Sequence, residues 1–278
     1  MRTSVSLPAV AFVGGGNMGA AMVMGLLGES PAPAITIIDP SPAVRMRFAD
    51  QPGVRVEADP AALAAAEVVI LAVKPQVGAE VCRQLAPHLN QRHSLISILA
   101  GIPLATLSQW LPQVGRLIRA MPNTPMAIGQ GMVGLAGDER CQAADLEQAA
   151  ALFRPGAEVV IIAEAQMDAL TAVSGSGPAY LFRFAEAMYE AALGLGLEAT
   201  TAQSLVTTTL SGSAAYLQQR CREERSFVAG KLRDQVTSPG GTTAAALAVF
   251  DQGQLSELVQ SAMVAARDRS LALAKGEP

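Results

Sequence analysis

The chain is short of the residues that most often carry proton transfer or metal binding. Of its 278 residues, two are histidines and three are cysteines. Cys82, Cys141 and Cys221 are odd in number, far apart and without metal-ligand spacing, which argues against a disulfide framework and against a zinc site. They read as small buried hydrophobes. No Ser/His/Asp set and no metal cluster is present. Aromatics make up 4% of the chain, so its core is built from Ala, Val, Leu, Ile and Met. Charged residues are 16% and hydrophobic residues 50%, the balance of a globular protein with a sizeable core. The length suits one large or two modest domains.

A basic stripe is also missing. The net charge is -4 and the pI is near 5.3, which argues against a nucleic-acid partner. Arg220, Arg222 and Arg225 cluster, but Glu223 and Glu224 lie among them, as on a solvated helix face. No apolar run reaches the roughly 18 residues of a membrane span. Met1 to Ser6 is short and polar, and the apolar run from Ala9 breaks at Gly14-Gly15-Gly16, so no secretory signal is expected. These readings point to a soluble, cytoplasmic protein.

What is present is a nucleotide-binding pattern. Ala9 to Val13 is a short apolar run of the kind found in buried parallel strands. Gly14, Gly16 and Gly19 then fit G-x-G-x-x-G, and Ala20 to Leu27 is a good helix former. Ala34 to Ile38 is a second strand, ended by Asp39, which lies twenty residues past Gly19. Strand, glycine turn, helix, strand and acid in this order form the context of the dinucleotide fingerprint. Gly14 permits the tight turn, Gly16 lets backbone approach a pyrophosphate, and Gly19 lets helix pack on strand. The helix N-terminus, at Asn17 and Met18, faces the phosphates.

The alternation continues. Glu67 to Val73 is a strand ending at Lys74-Pro75, and Gln76 to Leu89 is a helix. Ser94 to Leu99 is a strand ending at Ala100-Gly101, and Pro103 to Leu111 a short helix. Val114 to Arg119 is a strand ending at Met121-Pro122-Asn123-Thr124-Pro125. Ligands of open parallel sheets sit beyond the carboxyl ends of the strands. The glycine turn, Asp39, Lys74-Pro75, Ala100-Gly101 and Met121 to Thr124 are therefore expected to line one crevice. His88 and His93 flank the turn at the opposite, N-terminal edge and read as surface loop residues. Met132 to Leu135 and Val159 to Ile162 suggest two last strands with Arg140 to Leu152 helical between them, closing a first domain over residues 1–165.

Residues 166–278 read as an all-α second domain. Met167 to Val173, Pro178 to Leu193, Ala199 to Gln218, Gly241 to Leu247 and Ser256 to Leu273 suit helices. Ser174-Gly175-Ser176-Gly177-Pro178 reads as a break in which Ser176 or Gly177 caps and Pro178 opens the next helix, with Asp168 a further candidate cap. So thin and Ala-rich a helical segment would struggle to form a core alone. It is expected to interleave with a second copy.

Within it, Val236 to Thr243 is rich in small residues and hydroxyls and leads into a helical pattern. Such a loop offers N–H groups at a helix N-terminus, where a carboxylate or phosphate binds readily. Acids and bases are scarce among these candidates, which suits a substrate that carries its own proton. A protonated imine is already an electrophile, so its reduction needs mainly positioning against a nicotinamide. A ring nitrogen needs one hydrogen-bond partner, and a hydroxyl suffices.

The motifs in order resemble the pyrroline-5-carboxylate reductases. The matching segments run from Ala11 to about Leu273: Phe12 to Met18, Ala72 to Gln76, Ala100 to Pro103, Arg119 to Pro125, Ala172 to Tyr180, and Val236 to Asp251. The resemblance implies an α/β fold with an N-terminal Rossmann-type dinucleotide-binding domain and an all-α C-terminal dimerisation domain. Dimers of the family can associate into decamers. It implies that NAD(P)H delivers hydride to the imine carbon of 1-pyrroline-5-carboxylate, giving L-proline in the last step of proline biosynthesis. Carried over by position, Thr243 is the hydroxyl near the ring nitrogen, and Ser238, Gly240, Gly241 and Thr242 hold the carboxylate. Lys74, Pro75 and Met121 to Asn123 face the nicotinamide side, and Val73 joins the cofactor-binding set.

The cofactor's phosphate is the open question. Asp39 would accept ribose hydroxyls and repel a 2′-phosphate, favouring NADH. Ser41 with Arg45 or Arg47 could hold that phosphate, although Pro40 and Pro42 restrict the loop. The expectation is NADPH, with NADH also used. Two other readings compete. A β-hydroxyacid dehydrogenase-like reductase would need a lysine on a helix of the second domain, and residues 179–219 contain none. A dinucleotide-sensing regulator would not need the intact Ser238 to Thr243 loop.

Overall fold

The computed structural model describes residues 7–274. Met1 to Ser6, on which the secretory-signal reading partly rests, and the last four residues lie outside the described residues. Contacts divide the chain into two units: one runs to Pro178 and takes up the chain again from Ala265, and the other is Ala179–Val264. The expected boundary at residue 165 falls thirteen residues before the first division.

The first unit is built on eight strands. Its elements are β1 (Val10–Val13), α1 (Asn17–Leu27), β2 (Ile35–Ile38), α2 (Pro42–Phe48), β3 (Val54–Glu57), β4 (Val68–Leu71), α3 (Gly78–Leu85), β5 (Ser94–Ser97), α4 (Leu104–Trp110), β6 (Arg116–Pro122), β7 (Gly131–Gly137), α5 (Ala143–Phe153), β8 (Ala157–Ile161) and α6 (Met167–Leu170). The sheet order is β3-β2-β1-β4-β5-β6-β7-β8. The first six strands are parallel, β7 runs antiparallel to β6, and β8 parallels β7. This is the order of a dinucleotide-binding sheet with two strands added at one edge.

Central strands buried on both faces carry no polar alternation. β1 and β4 are buried at every position. One core layer gathers Phe12, Met22, Leu26, Ile37, Ile70 and Phe153. The other gathers Val13, Leu71, Leu85, Leu95, Leu107 and Leu117. Burial raises the Cys82 thiol to about 11 and the Cys141 thiol to about 12, so both stay protonated near neutral pH.

Sequence patterning missed β3 and α2. Val54-Arg55-Val56-Glu57 is an edge strand that alternates and is only partly buried, so it offers no apolar run. Gln76 to Leu89 is not one helix but α3 flanked by 3-10 turns. His93 is fully buried, not a surface loop residue. Its Nδ1 accepts the Asn90 N–H at 3.1 Å, so the ring closes its own turn. His88 is half-buried.

The expected break at Ser174 to Pro178 narrows to a bend at Ser176. Thr171–Gly175 forms a π-turn, in which the Ser176 N–H reaches the Thr171 carbonyl at 2.8 Å, and α7 (Gly177–Gly194) follows with Pro178 in its first turn. Asp168 is no cap either: its carboxylate meets Arg119 and Ser270.

The second unit is helical. It comprises most of α7, then α8 (Ala199–Glu224), α9 (Ala229–Gln235), α10 (Thr242–Gln252) and the start of α11 (Leu255–Ala274). Sequence patterning missed α9. Phe184 and Phe250 pack at 6.4 Å between ring centroids. Ala202, Val206 and Val228 are its buried apolar residues among those described.

Candidate active site

Register aligns the carboxyl ends of the parallel strands. Val13 pairs with Ile38 and with Leu71, Leu71 with Ser97, and Ser97 with Arg119. The residues just beyond these pairs are Gly14, Asp39, Ala72 to Lys74, Ile98 to Gly101, and Ala120 to Asn123. The structure thus brings the predicted cofactor residues to one edge of the first unit.

The glycine turn is shaped by steric limits. Gly14 has φ +100, and a side chain there would meet the Ala72 carbonyl at 2.7 Å. A Cβ on Gly19 would meet the Gly14 carbonyl at 2.6 Å. Val73 packs against this turn and Lys74 is exposed beyond it. Gly16 is the N-cap of α1, exposed, with open space where a side chain would stand. Asn17 is exposed and Met18 half-buried in the first turn. The first-turn N–H groups of α1 have no intrahelical acceptors, and the helix dipole adds partial positive charge. A smooth cradle ending in free amides fits the pyrophosphate of a dinucleotide.

Asp39 ties two turns together. Its Oδ2 accepts the Gly15 N–H at 2.9 Å, and its Oδ1 accepts the Ser41 N–H at 2.9 Å. Arg45 Nη1 donates to the carbonyls of Asp39 at 2.9 Å and Pro40 at 2.7 Å. Gly15 was not singled out by sequence. The signal was there: a third glycine stands where the fingerprint asks for two. Arg47 lies over the Phe48 ring at 5.5 Å. A cavity of about 390 Å³ is lined by Pro42, Arg45, Met46, Ala49, Val54 and Val56; of the residues expected to hold the cofactor it includes Arg45 alone.

Two predicted nicotinamide-side residues are tied to the π-turn. Asn123 Nδ2 donates to the Ser174 carbonyl at 3.1 Å and its hydroxyl at 3.3 Å, while Oδ1 accepts the Met132 N–H at 2.8 Å. Met121 packs so closely on Gly175 that a side chain there would meet its Cε at 2.7 Å. Asn123 therefore braces the crevice wall with both ends of its amide engaged. Gly101 is buried with φ +75, and a Cβ there would meet Leu273 at 2.9 Å. Its bare side accommodates the end of α11, and Ala100 beside it is half-buried.

Behind this wall lies a buried ion-pair network that sequence did not reveal. Arg119, 4% exposed at its side chain, reaches Asp168 at 3.4 Å and Glu164 at 3.6 Å. Ser270 Oγ donates to Asp168 at 2.7 Å, and Glu164 accepts the Leu104 N–H at 2.6 Å.

In the second unit, Ser238 to Thr243 forms a tight turn into α10. The Gly241 N–H closes on the Ser238 carbonyl at 3.0 Å, with Gly240 at φ +70. Pro239 then Gly240 is the sequence a type II turn requires. Gly241 is the N-cap, without a side-chain cap bond. The first intrahelical bond runs from the Ala245 N–H to the Gly241 carbonyl at 3.1 Å. The amides of Thr242, Thr243 and Ala244 therefore lack intrahelical acceptors. Ser238, Gly240 and Thr242 are exposed, and Gly241 and Thr243 half-buried. The turn can receive an anion at its amides, with a hydroxyl alongside.

Residues 164–273 match a family model described as pyrroline-5-carboxylate reductase dimerisation. Residues 9–101 match one described as NADP oxidoreductase coenzyme F420-dependent. A pyrroline-5-carboxylate reductase of Pseudomonas aeruginosa is 42% identical over 274 residues, covering 98% of each chain. One from Haemophilus influenzae is 41% identical over 268 residues, covering 94% of this chain and 96% of that one. Among solved structures, a pyrroline-5-carboxylate reductase from Coxiella burnetii superposes with a TM-score of 0.87 at 36% identity, covering 97% and 99% of the two chains. The Plasmodium falciparum pyrroline carboxylate reductase with NADP bound gives 0.82 at 26% identity, covering 96% and 98%.

Proposed function

This chain belongs to the pyrroline-5-carboxylate reductase family, and on that premise we propose how its residues divide the work. The reaction is the reduction of 1-pyrroline-5-carboxylate to L-proline with NAD(P)H, the last step of proline biosynthesis. The cofactor, when bound, supplies hydride to the imine carbon.

The first-unit crevice holds the cofactor. Gly14, Gly16 and Gly19 shape the pyrophosphate cradle, and Asn17 and Met18 present amides to it. Val73, Lys74, Pro75, Ala100 and Met121 line the nicotinamide side, with Gly101 and Asn123 supporting that wall. The Ser238 to Thr242 turn binds the substrate carboxylate through its N–H groups, helped by the α10 dipole. Thr243 hydrogen-bonds the ring nitrogen, keeping the imine plane fixed while hydride arrives. No side chain needs to act as a strong acid, because an iminium already carries its proton. The observation that carries this division is the α10 N-terminus itself, where a Pro-Gly turn leads into amides without intrahelical acceptors and Thr243 stands beside them.

The second unit dimerises. Phe182, Leu195, Phe227 and Leu258 are among its large exposed apolar side chains, a surface of the kind that marks association. The working form is a homodimer, and the boundary between cofactor and dimerisation regions lies near residue 165. NADPH is the preferred donor, with NADH also accepted. The three cysteines are free thiols, as a reducing cytoplasm would keep them.

The test is a turnover assay with pyrroline-5-carboxylate and NADPH, following cofactor oxidation and proline together. Proline formed in step with oxidation supports the reading. Oxidation without proline, or no turnover, overturns it.

A further inference from the structure

We propose that Asp39 is a positioning residue for the glycine turn and not the group that chooses between NADH and NADPH; the choice falls to Arg45. The inference rests on the reading of the first-unit crevice as the cofactor site.

An acid at the end of the second strand ordinarily accepts the adenosine ribose hydroxyls, and its charge repels a 2′-phosphate. Here each carboxylate oxygen already holds a backbone N–H, one from Gly15 inside the glycine turn and one from Ser41 at the start of α2. Charge-assisted bonds of this kind are stronger than neutral ones. Gly15 is also wedged against α2: a Cβ there would meet Val44 at 2.5 Å and Phe48 at 3.2 Å. Glycine turn and β2–α2 turn are thus one joined piece, and Asp39 is the joint.

The same turn carries a compensating cation. Arg45 is bound through Nη1 to the carbonyls of Asp39 and Pro40. It places a guanidinium on the segment that follows β2, where a 2′-phosphate would meet the protein. Guanidinium is suited to phosphate because its donors form a planar fork. Ser41, half-buried beside it, can add a hydroxyl.

The two roles predict different patterns of loss. An Asn at position 39 presents one acceptor and one NH₂ group. It can hold one of the two N–H groups but faces the other with a donor. If Asp39 is the joint, Asp39→Asn loosens the cradle shared by both cofactors. If it is the ribose ligand, the same change removes the charge that opposes a 2′-phosphate and shifts preference toward NADPH.

The experiment measures equilibrium binding of NADPH, NADH, 2′,5′-ADP and ADP to the full chain, for wild type, Asp39→Asn and Arg45→Gln. Asp39→Asn is expected to weaken NADPH and NADH alike, by about tenfold, the equivalent of one lost charge-assisted hydrogen bond. Arg45→Gln is expected to weaken NADPH and 2′,5′-ADP by about tenfold while NADH and ADP change less than about twofold. The Arg45 arm stands even if the Asp39 variant does not fold. A gain of NADPH over NADH in Asp39→Asn overturns the proposal, as does unchanged binding of both cofactors in that variant. Equal losses of NADPH and NADH in Arg45→Gln overturn it too. Wild type that binds neither dinucleotide overturns the crevice reading itself, and the proposal with it.

Discussion

The two units use the same large apolar residues in opposite ways. In the sheet unit Phe12, Ile70, Leu95 and Phe153 are fully buried, because helices cover both faces of the strands. In the helical unit Phe227 is 84% exposed and Leu195 83%, and only Ala202, Val206 and Val228 are buried apolar residues among those described. A closed sheet supplies its own core. Long helices rich in Ala do not, and they leave large apolar side chains in water. The first unit thus holds its stability inside, and the second leaves large apolar side chains on its surface.

Charging the helical surface is expected to have the largest effect. Phe182→Glu with Leu258→Glu is expected to weaken dimerisation by about 10³-fold or more, since each buried side chain of this size contributes about 2 kcal/mol. Light scattering reads the mass. Turnover should be abolished while NADPH binding by the sheet unit persists. A monomeric wild type at micromolar concentration would show that no second copy covers these side chains.

Next in size is a cut inside the sheet unit. Arg119→Met strands Asp168 and Glu164 in a mostly buried setting, leaving Asp168 with Ser270 and Glu164 with the Leu104 N–H. Removing one partner of a buried pair costs about 3 kcal/mol or more. A denaturant midpoint for the cofactor-binding transition should fall accordingly, with the dimer's mass unaffected. No change in that midpoint would mean the network is not part of the sheet unit's stability.

Thr243→Ala separates chemistry from both kinds of stability. Loss of the hydrogen bond to the ring nitrogen should lower kcat by about 10²-fold. Cofactor affinity and unfolding should hold at wild-type values. Near-normal turnover would take Thr243 out of the reaction.

The two units also differed in how far they could be read. Apolar strand runs such as Val68 to Leu71 and the spacing of Gly14, Gly16 and Gly19 are local signals, and an open parallel sheet with its strand ends along one edge was expected from them. β3 escaped because an edge strand is half-solvated and shows no run. The π-turn at Thr171 to Gly175 escaped because Ser and Gly there mimic cap chemistry, while the bond that decides it spans five residues. The network of Arg119, Asp168 and Ser270 joins residues far apart in sequence, and no periodicity encodes such a meeting. Asp39 was legible from its spacing at the end of β2, whereas its partners Gly15 and Ser41 were visible only once the turns were folded.

The smallest expected effect concerns His93, whose burial in the sheet unit contrasts with the exposed helical surface. Burial holds its pKa below the ordinary histidine value, although backbone partners Leu63 and Asn90 oppose the shift; nearby Arg92 adds to it. Nδ1 accepts the Asn90 N–H, so protonation would also convert that acceptor into a donor facing a donor. The unfolded chain therefore binds a proton at His93 more readily than the folded one. Stability at this site is complete above about pH 6.5, the unfolded value. It falls as pH drops below that value toward the folded pKa, by at most about 1.4 kcal/mol per pH unit. His93→Asn keeps an acceptor for Asn90 without a titrating ring. Urea midpoints taken from pH 7.5 down to about 5 should fall in wild type and fall less in the variant. Parallel curves would show that the buried imidazole does not couple to folding.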